Sequence, residues 1–354
     1  MRWKRQTDRQ TDRQTDRTVY FDYLRVFATL AVMVLHISAQ NWYTTDVNRI
    51  EWQTFNFFDS IVRWGVPVFV MISGSLFLKR DVPIKKLYCK YILRMILSFF
   101  FWSVIYALFM DSDAISAVVQ GHYHMWFIPM IIGIYMCIPL IKPIVSSDKR
   151  IRYYLILSLI FAFIIPQVVT LTNDFGNDIV IEGVAAIKSD VDNMNMHIVL
   201  GYVGYFVLGY YMSNIDFSKR QRTVVYLLGI LGFSFTVIAD LLIALKTQTY
   251  CGNYYGNFNV NILFESMAVF MWFKYKNYNH PKLNYIAQTL SQYSFGAYLV
   301  HALIIEQLNI RFRINTLSFN PILSVLLIAA ITFISAFGIS ALLNHIPIVK
   351  RYIV

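Results

Sequence analysis

Charge is what this chain has least of. Only 14% of its 354 residues are Asp, Glu, Lys or Arg, while 57% are hydrophobic, against roughly 25% charged in a soluble domain. That shortage excludes an ordinary water-soluble enzyme. Cysteine is scarce too: Cys89, Cys137 and Cys251 fall in separate segments with no paired spacing, so neither a disulfide framework nor a zinc site is indicated. No stretch between apolar runs is long enough for a separate soluble domain. Gly201-x-x-Gly204 and Gly209 follow no strand, which rules out a nucleotide loop and leaves close helix packing. No internal repeat of the kind many transporters show is present.

What is there is a succession of apolar runs. Spans are expected at about 20–40, 57–78, 91–110, 126–145, 153–172, 197–213, 223–245, 258–273, 293–308 and 321–343, which gives an all-α polytopic membrane protein of about ten helices. The excess of 31 basic over 20 acidic residues suggests no nucleic acid, because the charges cluster where apolar runs end and so report topology and anionic lipid. With a cytoplasmic N terminus, most Lys and Arg fall inside, and only Arg49, Lys188, Lys246, Arg311 and Arg313 fall in outside loops. Both termini are therefore expected in the cytoplasm. Arg311 and Arg313 run against the trend. No secretory peptide precedes the first run, which would serve as an uncleaved anchor. Loop 173–196 is acidic and reads as solvated.

Two domains are expected: residues 1–19 as a disordered basic tail and 20–354 as the membrane domain. The tail holds RQTD three times, at 5–8, 9–12 and 13–16, a low-complexity pattern. A four-residue protein period is what an in-frame tetranucleotide repeat produces, so slippage and phase variation of a surface-related product are expected. The other reading is untranslated repeat ahead of a mispredicted start.

The first span, Tyr20 to Gln40, is the informative one. Arg25 and His36 are 11 residues apart, which on a helix returns to within ~20° of the same direction, ~16 Å further along. Ionisable groups at membrane depth face protein or a wet cavity, since lipid exposure costs several kcal/mol. Arg63, Asp240, Glu265, His301 and Glu306 add to this set, and together they argue for a hydrophilic chamber. Arg94, just after Lys85, Lys86 and Lys90, suits a phosphate-bearing ligand at the cytoplasmic surface. His122 and His124 are two apart, so in a helix they would splay, and joint metal binding would need an extended segment. No metal site is assigned.

Four motifs in order resemble the acyltransferase-3 family of integral-membrane O-acyltransferases over nearly the whole chain. They are Asp22-x-x-Arg25 with His36; Gly65-Val66-Pro67-x-Phe69-x-Met71-Ile72-Ser73-Gly74; His124-x-Trp126-Phe127-x-Pro129; and Ser294-x-Gly296-x-Tyr298-Leu299-x-His301. The family's Arg-x-x-Arg at the start of the third span is here Tyr91 and Arg94, with Lys90 adjacent. The chain ends at Val354 without the hydrolase-like domain that some members append. The membrane domain is thus expected to meet its acceptor directly or through a partner.

The resemblance implies a multi-pass protein of the bacterial inner membrane. It would transfer an acyl group, commonly acetyl, from cytoplasmic acyl-CoA to a hydroxyl of a surface polysaccharide or lipid-linked glycan, lipopolysaccharide modification included. Acyl-CoA is then a donor substrate, and no permanently bound cofactor is expected. His36 would act as general base or acyl carrier, and Arg25 would bind donor phosphate or stabilise developing charge. Arg94 and Lys90 would contact the donor, and Trp126, Tyr298, His301 and Glu265 would line the substrate side. A transporter or flippase of a lipid-linked saccharide is the other class that wants a polar chamber.

Overall fold

A computed structural model describes residues 18–109 and 118–354, and among these residues every regular element is helical. The RQTD tail lies outside the described residues, so its expectations are not addressed by the structure. Thr18 stands at the N-cap position of the first helix without a side-chain capping hydrogen bond. In chain order the main helices are α1 (Val19–Ala39), α2 (Ile50–Ser60), α3 (Gly65–Phe77), α4 (Leu93–Phe109), α5 (Phe127–Ile141), α6 (Asp148–Ser158) and α7 (Ile165–Phe175). Then follow α8 (Asp178–Asn193), α9 (Val203–Asn214), α10 (Lys219–Thr247), α11 (Val260–Tyr275), α12 (Pro281–Phe312), α13 (Pro321–Leu343) and α14 (Pro347–Tyr352).

All ten expected spans coincide with helices. By length and apolar composition, seven helices among the described residues can cross a membrane: α1, α2 with α3, α4 with its preceding turn, α5 with its preceding turn, α6 with α7, α10 and α13. The other three expected spans depart from that standard for separate reasons. At ~1.5 Å per residue, α9 and α11 reach only about 18 and 24 Å, short of a ~30 Å core. α12 is long enough, but Ser291, Gln292, His301 and Glu306 make it more polar.

Helix α1 is buried on nearly every side, through Leu24, Ala28, Ala31, Val32, Met33 and Ile37, as a helix at the centre of a bundle must be. It packs against α2, α3, α11, α12 and α13. The second expected span is broken. A turn at 61–64 separates α2 from α3, and Pro67 falls in the first turn of α3, where a missing N–H costs nothing. Between α6 and α7 a wider π-helical turn, Leu159–Ile164, precedes Pro166. Proline's inability to donate there accounts for the slipped ladder.

Glycines set the closest approaches. A Cβ at Gly74 would run into the carbonyl of Phe206, and one at Gly209 into the backbone of Met71. α3 and α9 therefore cross backbone to backbone, fastened where Ser75 Oγ donates to the Gly209 carbonyl at 2.8 Å. This is the small-residue packing expected of that glycine run.

The acidic segment 173–196 is a helix rather than a loop. Asn177 caps α8 by accepting from the Val180 N–H, and α8 buries none of its residues. Arg311 lies in the last turn of α12 and Arg313 is its C-cap in left-handed conformation. Cations there meet the negative end of the helix dipole, a reason for their charge that is independent of topology.

Candidate active site

α1 and α12 run side by side. Tyr23 OH donates to Asn284 Oδ1, Arg25 Nη1 to Ser291 Oγ at 3.4 Å, and His36 Nδ1 meets His301 Nε2 at 2.7 Å. The sequence offsets of these pairs stay between 261 and 266, so the two helices are parallel and in register. On α12, Ser291, Ser294, Tyr298 and His301 repeat at helical spacing on the face that meets α1. The shared face inferred for Arg25 and His36 is this seam.

The two imidazoles stack, with centroids 5.0 Å apart and planes at 14°. Their protons follow from their partners. His301 Nδ1 lies 2.5 Å from the Tyr298 carbonyl, which can only accept, so that nitrogen carries a hydrogen. In neutral His301 the Nε2 is then bare and accepts from His36 Nδ1–H. The second nitrogen of His36, Nε2, is left with its lone pair. A backbone carbonyl thus orients one histidine, which orients the other, as the partner of a general base or nucleophile does.

Two further histidines close around the pair. The short turn Tyr123–Trp126 ahead of α5 carries His124, whose ring centroid is 5.0 Å from His301 and 6.2 Å from His36. Tyr298 OH donates to the His124 carbonyl at 2.5 Å. His122, just before the turn, lies 2.9 Å from His124 (Nδ1 to Nδ1) and 2.9 Å from Glu306 (Nε2 to Oε1). It stacks on Tyr106 at 4.3 Å. The two histidines are therefore not splayed, because the segment carrying them is not an α-helix. His124 Nε2 is buried with no hydrogen-bond partner. Among the described residues no His, Cys, Asp and Glu group is arranged to hold a metal.

A cavity of about 350 Å³ approaches this cluster along the α1–α12 seam, lined by Arg25, Arg94, Ser73, Ser291, Phe127 and Tyr298 among others. Its cationic end is at Arg25 and Arg94. Arg94 Nη2 donates to the main-chain oxygen of Val354, and its Nε has no partner. Tyr298 also lines it, and its carbonyl and hydroxyl hold His301 and the His124 backbone. The cavity therefore meets the histidine cluster through Tyr298, and no histidine lines it.

Of the residues singled out by sequence, Arg25, His36, Arg94, Tyr298 and His301 are brought together on this path, and Lys90, Trp126 and Glu265 are not. Lys90 is exposed on the turn before α4, beside the Tyr91 ring. Trp126 is 41% exposed and packs on Tyr202. Glu265 is buried between α10 and α11, where it accepts from Thr236 Oγ1 at 3.1 Å. Tyr106 joins the cluster although the sequence did not single it out, and His122 and Glu306, noted in the sequence only as a weighed metal ligand and a chamber group, join it too. The H-x-H run was the available signal, but its meeting with α12 was not.

With this geometry in place, the family assignment follows. The family model described as the acyltransferase domain of the acyltransferase-3 family matches residues 18–341, nearly the whole chain. The chain belongs to that family: it is an acyltransferase with multiple apolar helices, built as a multi-pass membrane protein. No curated protein and no solved structure matches it.

Proposed function

We propose that this protein transfers an acyl group, commonly acetyl, from cytoplasmic acyl-CoA to a hydroxyl of a surface polysaccharide or lipid-linked glycan. It would do so as a ten-span protein of the bacterial inner membrane with both termini in the cytoplasm. The observation that carries this is the oriented His36–His301 pair beside a cavity lined by Arg25 and Arg94, the two joined through Tyr298. Guanidiniums suit the phosphates of CoA, and the apolar lining from Val32, Val66, Phe69 and Phe127 suits the pantetheine arm with its thioester.

The step balances with these residues. His36 Nε2 accepts the proton of the acceptor hydroxyl as its oxygen bonds to the thioester carbonyl carbon. The C–S bond then breaks, and the proton on His36 passes to the departing CoA sulfur. Throughout, His36 Nδ1–H stays on His301 Nε2, which stabilises the imidazolium. Arg25, ~16 Å from His36 along α1, serves the donor's phosphates, not the reacting carbonyl.

The test compares surface glycan from cells expressing wild type and His36→Ala at matched membrane levels, by mass before and after mild alkali. An alkali-labile mass of one acyl group that appears only with wild type is the expected result. An unchanged glycan mass whose surface amount falls on gene deletion would replace this reading with transport.

A further inference from the structure

A second cavity, of about 450 Å³, lies at the opposite end of α1 from the arginine-lined one. Four separate chain segments build it. Trp42 and Tyr43 come from the turn after α1, Arg63 from the turn between α2 and α3, Asp174 from the end of α7, and Tyr250 and Asn253 from the loop between α10 and α11. Trp42, Tyr43 and Tyr250 pack on one another with centroids 5.0 to 5.2 Å apart. Trp42 is buried at 3% exposure, while Tyr43 and Tyr250 present 60% and 50% of their surfaces.

The polar wall is held in place. Asp174 accepts from Asn253 Nδ2 at 2.9 and 3.1 Å and from Tyr254 OH at 2.9 Å. Tyr254 N–H in turn donates to Asp240, which fixes the loop. Arg63 pairs with buried Asp59 at 2.5 Å and lies 3.9 Å over the Tyr255 ring. Two polar atoms of the lining, Trp42 Nε1 and Arg63 Nε, are buried without a hydrogen-bond partner.

The charge balance narrows the ligand. One guanidinium is answered by Asp59 and Asp174, so the pocket has no cationic surplus for a phosphate, in contrast to the cavity at Arg25. Nor is it apolar enough for an acyl chain. Exposed aromatic faces beside a carboxylate, an amide and a guanidinium suit a neutral polyhydroxylated ring, whose C–H faces stack while its hydroxyls hydrogen-bond. The location is also informative. Trp42 follows His36 by six residues, ~9 Å, and Arg63 stands in the turn between α2 and α3, both of which pack against α1.

We infer that this outer pocket is the acceptor-sugar subsite, so that donor and acceptor reach the histidine pair from opposite ends of α1. The inference rests on the acyl-transfer reading above. Its test uses membranes holding the full chain, radiolabelled acetyl-CoA, and non-acylated surface glycan isolated from cells lacking the gene. Tyr43→Ala, Tyr250→Ala and Asp174→Asn, at matched membrane amounts, are expected to raise the KM for glycan about tenfold, an effect the size of one lost stacking or hydrogen-bond contact. The KM for acetyl-CoA should stay unchanged. An unchanged glycan KM in the Tyr43→Ala, Tyr250→Ala double variant, or an equal rise in both KM values, would overturn the subsite. If wild type itself moves no label into glycan, the acyl-transfer reading fails and the inference falls with it. That control involves no variant, so the two failures are distinguishable.

Discussion

Two buried seams of this protein carry the same kinds of residue and use them differently. Along α1 and α12, Arg25 and Ser291 line a cavity, and further along the same seam the pairing of His36 with His301 leaves the second nitrogen of His36 with its lone pair. Between α10 and α11, Thr236, Asn261 and Glu265 bond to one another: Asn261 Nδ2 donates to Thr236 Oγ1 at 2.7 Å, and Thr236 Oγ1 to Glu265, while Asn261 Oδ1 and Glu265 Oε2 are buried without a partner. Gly232 brings α10 against the Asn261 carbonyl, and Glu265 lines a separate cavity of about 390 Å³ with Gly229, Phe233 and Trp272. The expectation of a single chamber holding every intramembrane ionisable group therefore gives way to separate sets. Space beside a polar group does not by itself mark function: the cavity at Glu265 has no cation in its lining, while the one at Arg25 and Arg94 does. Glu265 also accepts an interhelical hydrogen bond.

The contrast can be broken most directly at His36. His36→Gln should lower acyl transfer from labelled acetyl-CoA by about 10²–10⁴-fold, the range of a lost general base, with membrane amount unchanged. A loss of only a fewfold would move the reacting group away from this pair. The next largest effect is expected at the far end of the cavity. Arg94→Ala should raise the KM for acetyl-CoA about 10- to 100-fold, as a lost charge-assisted hydrogen bond of about 1.5–3 kcal/mol would. It should leave kcat nearly unchanged, and raised ionic strength should narrow the gap. On the other seam, Glu265→Gln keeps an acceptor for Thr236, so transfer is expected to stay within about threefold of wild type. A larger loss in the same transfer assay would bring Glu265 back among the substrate contacts.

The smallest effect concerns the loop that borders the outer pocket. Burial pushes the Cys251 thiol up to about 12, so at pH 8 only about one molecule in ten thousand carries the thiolate. Exposed Cys89 should react with a maleimide first in intact membranes, and Cys251 last. Cys251 should quicken as pH rises toward 12, since its thiolate fraction grows tenfold per unit. Fast labelling at pH 8 would mean that the loop stands open.

Much of the fold was legible because helix formation is local. Each apolar run became a helix, since at membrane depth the backbone must satisfy its own hydrogen bonds. The shared direction of Arg25 and His36 followed from helical geometry alone. The misses have particular causes. The second span was expected as one helix, whereas Pro67 lies in the first turn of a new one, because the break depends on the turn before it. Segment 173–196 is a capped helix whose polarity hid its periodicity. Trp126 and Lys90 belong to motifs or basic clusters but face away from the site, and composition does not fix a facing direction. His122 and His124 were judged on α-helical geometry that the segment does not adopt.

The sequence by itself determined that this is an all-helical membrane protein, where its helices lie, and through its four motifs the family to which it belongs. Only the tertiary structure decided that His36 meets His301, 265 residues away, that Glu265 is kept apart from them, and that four distant segments enclose an aromatic pocket. The reason is physical. Hydropathy records what each helix can bury, but lipid and protein interiors are equally apolar, so the choice of which faces meet rests on glycine contacts and side-chain fit across the whole bundle.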